Sequence, residues 1–154
     1  MDASLSSLAT ALNDLYRLSG SARFHADTVA STGVAISRTG LRCLSLVHDS
    51  PRISGTHLAA ALDVTQPTAS RALAQLEGDG LVVRHASTAD GRVAHYLVSA
   101  RGRRALVKVH AYHVRQLGLA LADVDEGRRA ALARTVTELV SLLHPQTATS
   151  TRTA

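Results

Sequence analysis

Apolar and small side chains recur on alternating three- and four-residue steps through the first thirty residues. The series consists of Leu5, Leu8, Leu12, Leu15, Ser19, Ala22, Ala26 and Val29. This spacing aligns the side chains in one heptad-like stripe on a helix surface. The pattern therefore predicts one long helix over about residues 5–29. An isolated helix of this kind needs a partner surface for its stripe.

A second periodic segment lies near the other end of the chain. Its apolar positions are Leu132, Val136, Leu139, Val140 and Leu143, and the acidic residues Asp123, Asp125 and Glu126 precede it. Acidic residues are typical of a helix N-terminus. The pattern predicts a helix over 127–143, followed by a disordered tail at 145–154. Two terminal helices that need partners favour a dimerisation region formed by 1–35 and 105–144. The alternative is that both helices pack within one monomer.

The middle of the chain has the pattern of a helix-turn-helix. One helix carries Leu41, Leu44 and Val47, and a short helix is predicted over about 56–62. After a turn at 63–65, a second helix begins with Thr65 as its N-cap and Pro67 in its first turn, where the missing N–H is harmless. The inward face of this second helix is Ala69, Ala72, Leu73 and Leu76, and Gly78 and Gly80 end it. Two short helices, a three-residue turn and a glycine stop are typical of this motif.

A β-hairpin is predicted directly after the second helix. Residues 81–85 and 93–98 are rich in strand formers, and Asp90-Gly91 marks the turn between them. A further helix is predicted from Gly102 to about Leu121. The expected fold is mainly α with a small β-hairpin wing, that is, a winged helix-turn-helix over 36–104 flanked by long N- and C-terminal dimerisation helices.

Charge adds to this picture. The net charge is +5 and arginine supplies almost all of the cations. Residues 50–104 hold seven arginines against four acids, whereas residues 1–35 hold two arginines against three acids. A polyanionic partner for the winged segment is therefore expected. Aromatic residues make up only 3% of the chain, which argues against RNA binding by base stacking.

Candidate DNA-binding residues lie on the second helix and on the hairpin. A recognition helix enters the major groove by its N-terminal residues, so small polar groups and an arginine at that end indicate DNA contact. The alternatives are a solvated helix face and an ordinary hairpin turn. Arg92 near the hairpin tip is placed to enter the minor groove, and Asp90 is placed to orient it. The candidate DNA-binding set is Thr65, Gln66, Thr68, Ser70, Arg71, Arg84, Asp90 and Arg92.

Residues 36–104 resemble the MarR family of bacterial transcription regulators. The resemblance rests on LRCLSLV at 41–47, HLAAALDVTQPTASRALAQLEGDGLVVR at 57–84, DGR at 90–92 and VSARGRRAL at 98–106. It implies a homodimer with intertwined terminal helices and two winged units that read a palindrome in double-stranded DNA. It also implies a small-molecule effector, often an aromatic acid or phenol, in a region here containing Phe24, His25, His48 and Tyr112. No cofactor is implied beyond this unidentified effector.

Cys43 and the histidines are candidate sensor residues. Cys43 lies among leucines, and a buried inert thiol is expected, with peroxide sensing as the alternative. His110 and His113 have the spacing of a metal-ligand pair, but no carboxylate lies within four residues of His110, so no metal site is predicted. The lone cysteine, with neither a signal peptide nor a membrane span, favours a cytoplasmic protein.

Motifs for enzyme chemistry are absent from the sequence. It contains no phosphate-binding glycine loop, no H-E-x-x-H and no G-x-S-x-G. We therefore expect a homodimeric, ligand-responsive repressor, and no enzyme. The alternative is a ligand-, redox- or metal-sensing dimer that acts mainly through a protein partner and has little DNA affinity.

Overall fold

The computed structural model of this protein describes residues 2–86 and 94–143. The fold is mainly helical with one small antiparallel sheet, which confirms the predicted fold class. The elements in chain order are α1 (Ala3–Ser19), α2 (Ala22–Thr32), α3 (Arg38–Asp49), β1 (Ile53–Ser54), α4 (Gly55–Leu62), α5 (Gln66–Gly78), β2 (Val82–Ala86), β3 (Ala94–Val98), α6 (Ala100–Ala120) and α7 (Glu126–Leu143).

The helix-turn-helix forms as its sequence predicts. The hydroxyl of Ser54 accepts a hydrogen bond from the backbone N–H of His57 and caps α4, and Asp63 ends α4 in a left-handed conformation with φ 52°. Thr65 then caps α5 with Pro67 in its first turn. Gly80, with φ 69°, turns the chain from α5 towards β2. Each boundary is set by a local hydrogen bond or a backbone preference, which is why the pattern predicted it.

The sheet contains one strand more than the predicted hairpin. Its strand order is β1-β3-β2, and both pairings are antiparallel. In the two-residue strand β1, Ile53 pairs with Tyr96, and Ser54 pairs with His95. Two residues are too few to show an alternating pattern, so the sequence alone could not predict β1.

The core of the winged unit is aliphatic. Side chains from α3, α4 and α5 meet the start of β2 and the first turns of α6, and the largest fully buried ones are Leu44, Leu58, Leu73, Leu76 and Val47. The predicted inward face of α5 is confirmed, because Ala69, Leu73 and Leu76 are buried and Ala72 packs against the same core. The opposite side of α5 is thereby left to solvent.

The prediction of one long N-terminal helix is wrong. The segment forms two helices, and α1 ends at Ser19 with Gly20 as its C-cap. The hydroxyl of Ser21 accepts a hydrogen bond from the backbone N–H of Phe24, 3.1 Å away, and caps α2. A serine after a glycine offers the backbone a capping bond in place of a continuous helical ladder. The apolar stripe continues on both sides of this break, so its period did not reveal the break.

The chain divides into two compact units, Met1–Val114 and Arg115–Ala154. In the first, α1 buries none of its residues and leaves five leucines exposed: Leu5, Leu8, Leu12, Leu15 and Leu18. In the second, α7 also buries none and exposes Leu132, Val136, Val140, Leu142 and Leu143. Within the described residues, no helix has the length and apolar character needed to cross a membrane.

Candidate nucleic-acid interface

The N-terminal turn of α5 holds two of the predicted DNA-binding threonines in contact. The Thr65 hydroxyl accepts a hydrogen bond from the backbone N–H of Thr68 at 3.4 Å, and the two hydroxyl oxygens lie 2.8 Å apart. Thr65 is thus engaged in capping the helix, and its contact with Thr68 fixes the rotamer of both side chains. The pair presents a preset arrangement of hydroxyl groups at the end of the helix that would enter a groove.

Gln66 links the two helices of the motif. Its amide Nε2 donates a hydrogen bond to the hydroxyl of Thr56 at 3.0 Å, which joins the first turn of α5 to the first turn of α4. Sequence patterning did not single out Thr56 as part of the site. A threonine in the first turn of a short helix was its only signal, and that signal is weak without the fold.

Ser70 and Arg71 lie on the outward side of α5, where both are exposed. They follow Gln66 and Pro67 by one helical turn, and all four are exposed, whereas Ala69 and Leu73 of the same helix are buried. Within the described residues, no carboxylate forms a salt bridge with Arg71. This side therefore combines a hydroxyl, an amide and an exposed guanidinium, the groups that bond base edges and phosphates.

The remaining predicted residues are Arg84, Asp90 and Arg92. Arg84 is exposed on β2 and stands opposite Tyr96 in the ladder. Asp90 and Arg92 lie outside the described residues, so their predicted roles stay predictions.

Two histidines face each other in the same strand pair. His85 of β2, the residue after Arg84, pairs with His95 of β3. The Nδ1 of His95 lies 2.6 Å from the backbone oxygen of Arg52; because a carbonyl oxygen only accepts, Nδ1 carries the proton.

An arginine of α3 holds the short helix of the motif in place. Arg42 donates from Nη2 to the backbone oxygen of Leu62 at 3.1 Å, which satisfies a carbonyl at the C-terminal end of α4.

Cys43, the next residue, is completely buried. Burial raises the pKa of its thiol, and the nearby charge of Arg42 opposes this less strongly. The expectation of a buried thiol is confirmed.

A cleft of about 530 Å³ lies beside α2 and α3, in the region suggested for an effector. Its lining includes Phe24, His25, Arg38, Arg42 and His113. His48 lines a separate cleft of about 450 Å³, and Tyr112 is buried with 7% of its surface exposed. The structure therefore places two of the four suggested residues, Phe24 and His25, in the larger cleft.

His113 is the titratable group that this cleft perturbs. Its ring stacks on that of Phe24 with centroids 5.1 Å apart, and its Nε2 lies 3.5 Å from the Thr28 hydroxyl. Burial lowers the pKa of His113, and the nearby His110 lowers it further. Among the residues described in the structure, no three metal-ligating side chains come together.

Comparison with known proteins agrees with this geometry. Residues 36–94 match the model of the MarR family, which confirms the predicted resemblance. The fold is similar to that of a MarR family protein from Bacillus stearothermophilus, at 15% identity over 94% of this chain and 99% of that chain, with a TM-score of 0.79.

Two further solved structures share the fold. RV1404 from Mycobacterium tuberculosis is 20% identical over 92% of this chain and 95% of that chain, with a TM-score of 0.72. FabT from Streptococcus pneumoniae, solved in complex with DNA, is 20% identical over 90% of this chain and 93% of that chain, with a TM-score of 0.60. No curated protein gives a significant match to the sequence.

Proposed function

We propose that this protein, whose winged unit matches the MarR family, is a sequence-specific DNA-binding transcription regulator. It acts as a homodimeric repressor that binds a palindromic operator in double-stranded DNA and leaves it when a small molecule binds. Its proposed place of action is the cytoplasm, and it has no enzymatic role.

The observation that carries this proposal is the outward side of α5. A helix packed on a complete core by Ala69, Leu73 and Leu76 presents Gln66, Ser70 and Arg71 to solvent. Direct readout of base edges requires hydrogen-bond donors and acceptors that are held in fixed positions, and the packing of α5 on the core holds these side chains in this way. FabT, which shares the fold, was solved with DNA bound, and this likeness supports the same use here.

The homodimer is proposed from the apolar sides of the terminal helices. Five leucines of α1 are exposed, and so are five apolar residues of α7, although a soluble monomer rarely leaves so many large apolar side chains of one helix in water. Two copies of one surface related by a two-fold axis bury each other's stripe and place two winged units on two half-sites.

The proposed effector site is the cleft of about 530 Å³ lined by Phe24 and His113. The stacked rings offer an apolar platform, and Arg38 and Arg42 add positive charge to the same lining. An organic anion with a flat apolar body fits such a lining. Because α3 contributes both arginines and packs against α5, a ligand here has a physical route to the recognition helix.

The test is a salt titration of binding to the intergenic DNA beside the protein's own gene, with random DNA of equal length as the control. We expect tight binding to the intergenic DNA and much weaker binding to the random DNA, with affinity falling steeply as salt rises. Weak binding that is equal on both DNAs would overturn the proposal. It would favour a sensing dimer that acts through a protein partner.

A further inference from the structure

Three cationic side chains share one face of α6 near its start. Arg101, Arg104 and Lys108 follow one another at intervals of three and four residues, which places them within about 60° of the helix surface. All three are exposed. None of them forms a salt bridge or a hydrogen bond in the part of the chain that the structure describes.

The face borders a cleft of about 400 Å³. The other walls are the backbone and side chains of 33–36, between α2 and α3, together with Leu81 and the Asp79 that follows α5. The Cδ atom of Arg101 lies 4.0 Å from the position that a β-carbon would take at Gly80. The aliphatic part of this side chain is therefore packed against the turn, and its guanidinium extends beyond it. Three positive charges therefore meet one negative charge in a partly apolar recess.

Arg101 stands where a helix normally disfavours a cation. The first turn of α6 carries arginines and no acid, although the positive end of a helix favours acidic side chains there. The start of α7 follows the usual rule with Glu126. Arg103 relieves part of this cost, since its Nη1 donates to the backbone oxygen of Val98 at 2.9 Å. Arg101 has no such partner among the described residues, and this breach of a local rule is typical of a functional surface.

From this arrangement we propose that the cleft between α6 and 33–36 binds a small organic molecule bearing a phosphate group. The excess of two positive charges over Asp79 matches a phosphate monoester in its dianionic form. Val34 and Leu81 provide the apolar surface for the rest of the molecule. The site is distinct from the Phe24–His113 cleft and does not depend on the proposed DNA binding.

The position of the cleft separates it from the face that would read DNA. Thr65 caps one end of α5 and Asp79 the other, so at 1.5 Å per residue the two ends are about 20 Å apart. The cleft borders the Asp79 end. We therefore assign the bound phosphate group to a small molecule. Phosphates of the DNA backbone have the same chemistry, and the experiment below tests them as the alternative ligand.

Binding of phenyl phosphate to the full chain tests the proposal by titration calorimetry, with phenol as the uncharged probe. We expect saturable binding of phenyl phosphate, none of phenol, and a loss of at least about tenfold in affinity for the double variant Arg104→Gln, Lys108→Gln. The matched control is Arg128→Gln, Arg129→Gln on α7, which removes the same charge and should bind as the wild type does. The changed side chains are exposed, and circular dichroism checks the fold.

Three results would overturn the proposal. The first is no saturable binding of phenyl phosphate, and the second is equal affinity for it in both double variants. The third is a fall of about two in the salt slope of DNA binding for Arg104→Gln, Lys108→Gln alone, which would assign these cations to DNA phosphates. Failure of DNA binding in the wild-type chain leaves the calorimetric result intact, so the two proposals fail separately.

Discussion

Gly102 lies against the backbone of Leu81: a β-carbon at position 102 would stand 2.1 Å from the Leu81 carbonyl oxygen and 2.8 Å from a methyl carbon of Val98. The same carbonyl accepts from the backbone N–H of Ser99 at 3.0 Å, and the Ser99 hydroxyl donates to the backbone oxygen of Gly80 at 2.7 Å. These bonds draw the start of α6 onto the turn after α5, and only glycine leaves room for that approach.

Gly102→Ala should therefore lower the free energy of unfolding by more than about 2 kcal/mol, because backbone atoms cannot yield as a side chain can. Gly118→Ala is the control on the same helix, where nothing lies within 4 Å of the added carbon. It should stabilise the protein by up to about 1 kcal/mol through helix propensity. Urea unfolding of both variants measures the difference, and equal effects would contradict the close approach.

Local chemistry explains which parts of the fold were predictable. Thr65, Pro67 and Gly80 each act on their own few residues, so the limits of α5 could be predicted from the sequence. The break at Gly20 and Ser21 was missed because the apolar stripe spans it. The strand β1 was missed because its two residues form a strand only through pairing with Tyr96 and His95 on a distant segment.

The candidate site shows the same division. The outward side of α5 followed from its inward apolar period, which the packing of Leu73 and Leu76 confirms. The bond from Gln66 to Thr56 joins residues ten positions apart on separate helices, and no periodicity encodes it. Clefts are less predictable still, because their walls come from remote segments such as 33–36 and α6.

Arg71→Ala should weaken binding to the cognate operator by about 1–3 kcal/mol if its guanidinium forks onto a guanine. The control is Arg129→Ala on α7, which removes the same charge away from the helix-turn-helix and should change operator affinity little. Fluorescence anisotropy on operator and random DNA measures both. An equal loss on random DNA would show that Arg71 contacts a phosphate instead of a base.

Leu12→Glu should dissociate the proposed homodimer. Leu12 leaves 36% of its surface exposed on α1, within the leucine stripe, and a carboxylate buried there would be unpaired. Asn13→Glu changes the neighbouring residue, which lies off the stripe, and should leave the dimer intact. Sedimentation equilibrium should show at least about a tenfold rise in the dissociation constant for Leu12→Glu alone. The same constant in both variants would remove α1 from the interface.

Cys43 should react slowly with a disulfide reagent in the native protein. Its thiol is fully buried, and burial raises its pKa, which reduces both access and the thiolate that attacks. The reaction should be at least about a hundredfold faster in denaturant, where opening of the fold no longer limits it. Peroxide should leave DNA affinity unchanged. A fast native reaction that also changes DNA affinity would instead make Cys43 a redox sensor.

His113 should make stability depend on pH below its ordinary pKa of 6.5. Burial, reinforced by His110, lowers its pKa in the folded chain, so the unfolded chain binds the proton more readily. The stabilising contribution is therefore complete above pH 6.5 and is lost as the pH falls from there through the lowered value.

His113→Phe keeps an aromatic ring against Phe24 and removes the titrating group, so its unfolding free energy should fall less between pH 7 and pH 5 than that of the wild type. Urea titrations across this pH range measure the two slopes. A wild-type slope in His113→Phe would mean that His113 stays as solvated in the folded chain as in the unfolded one.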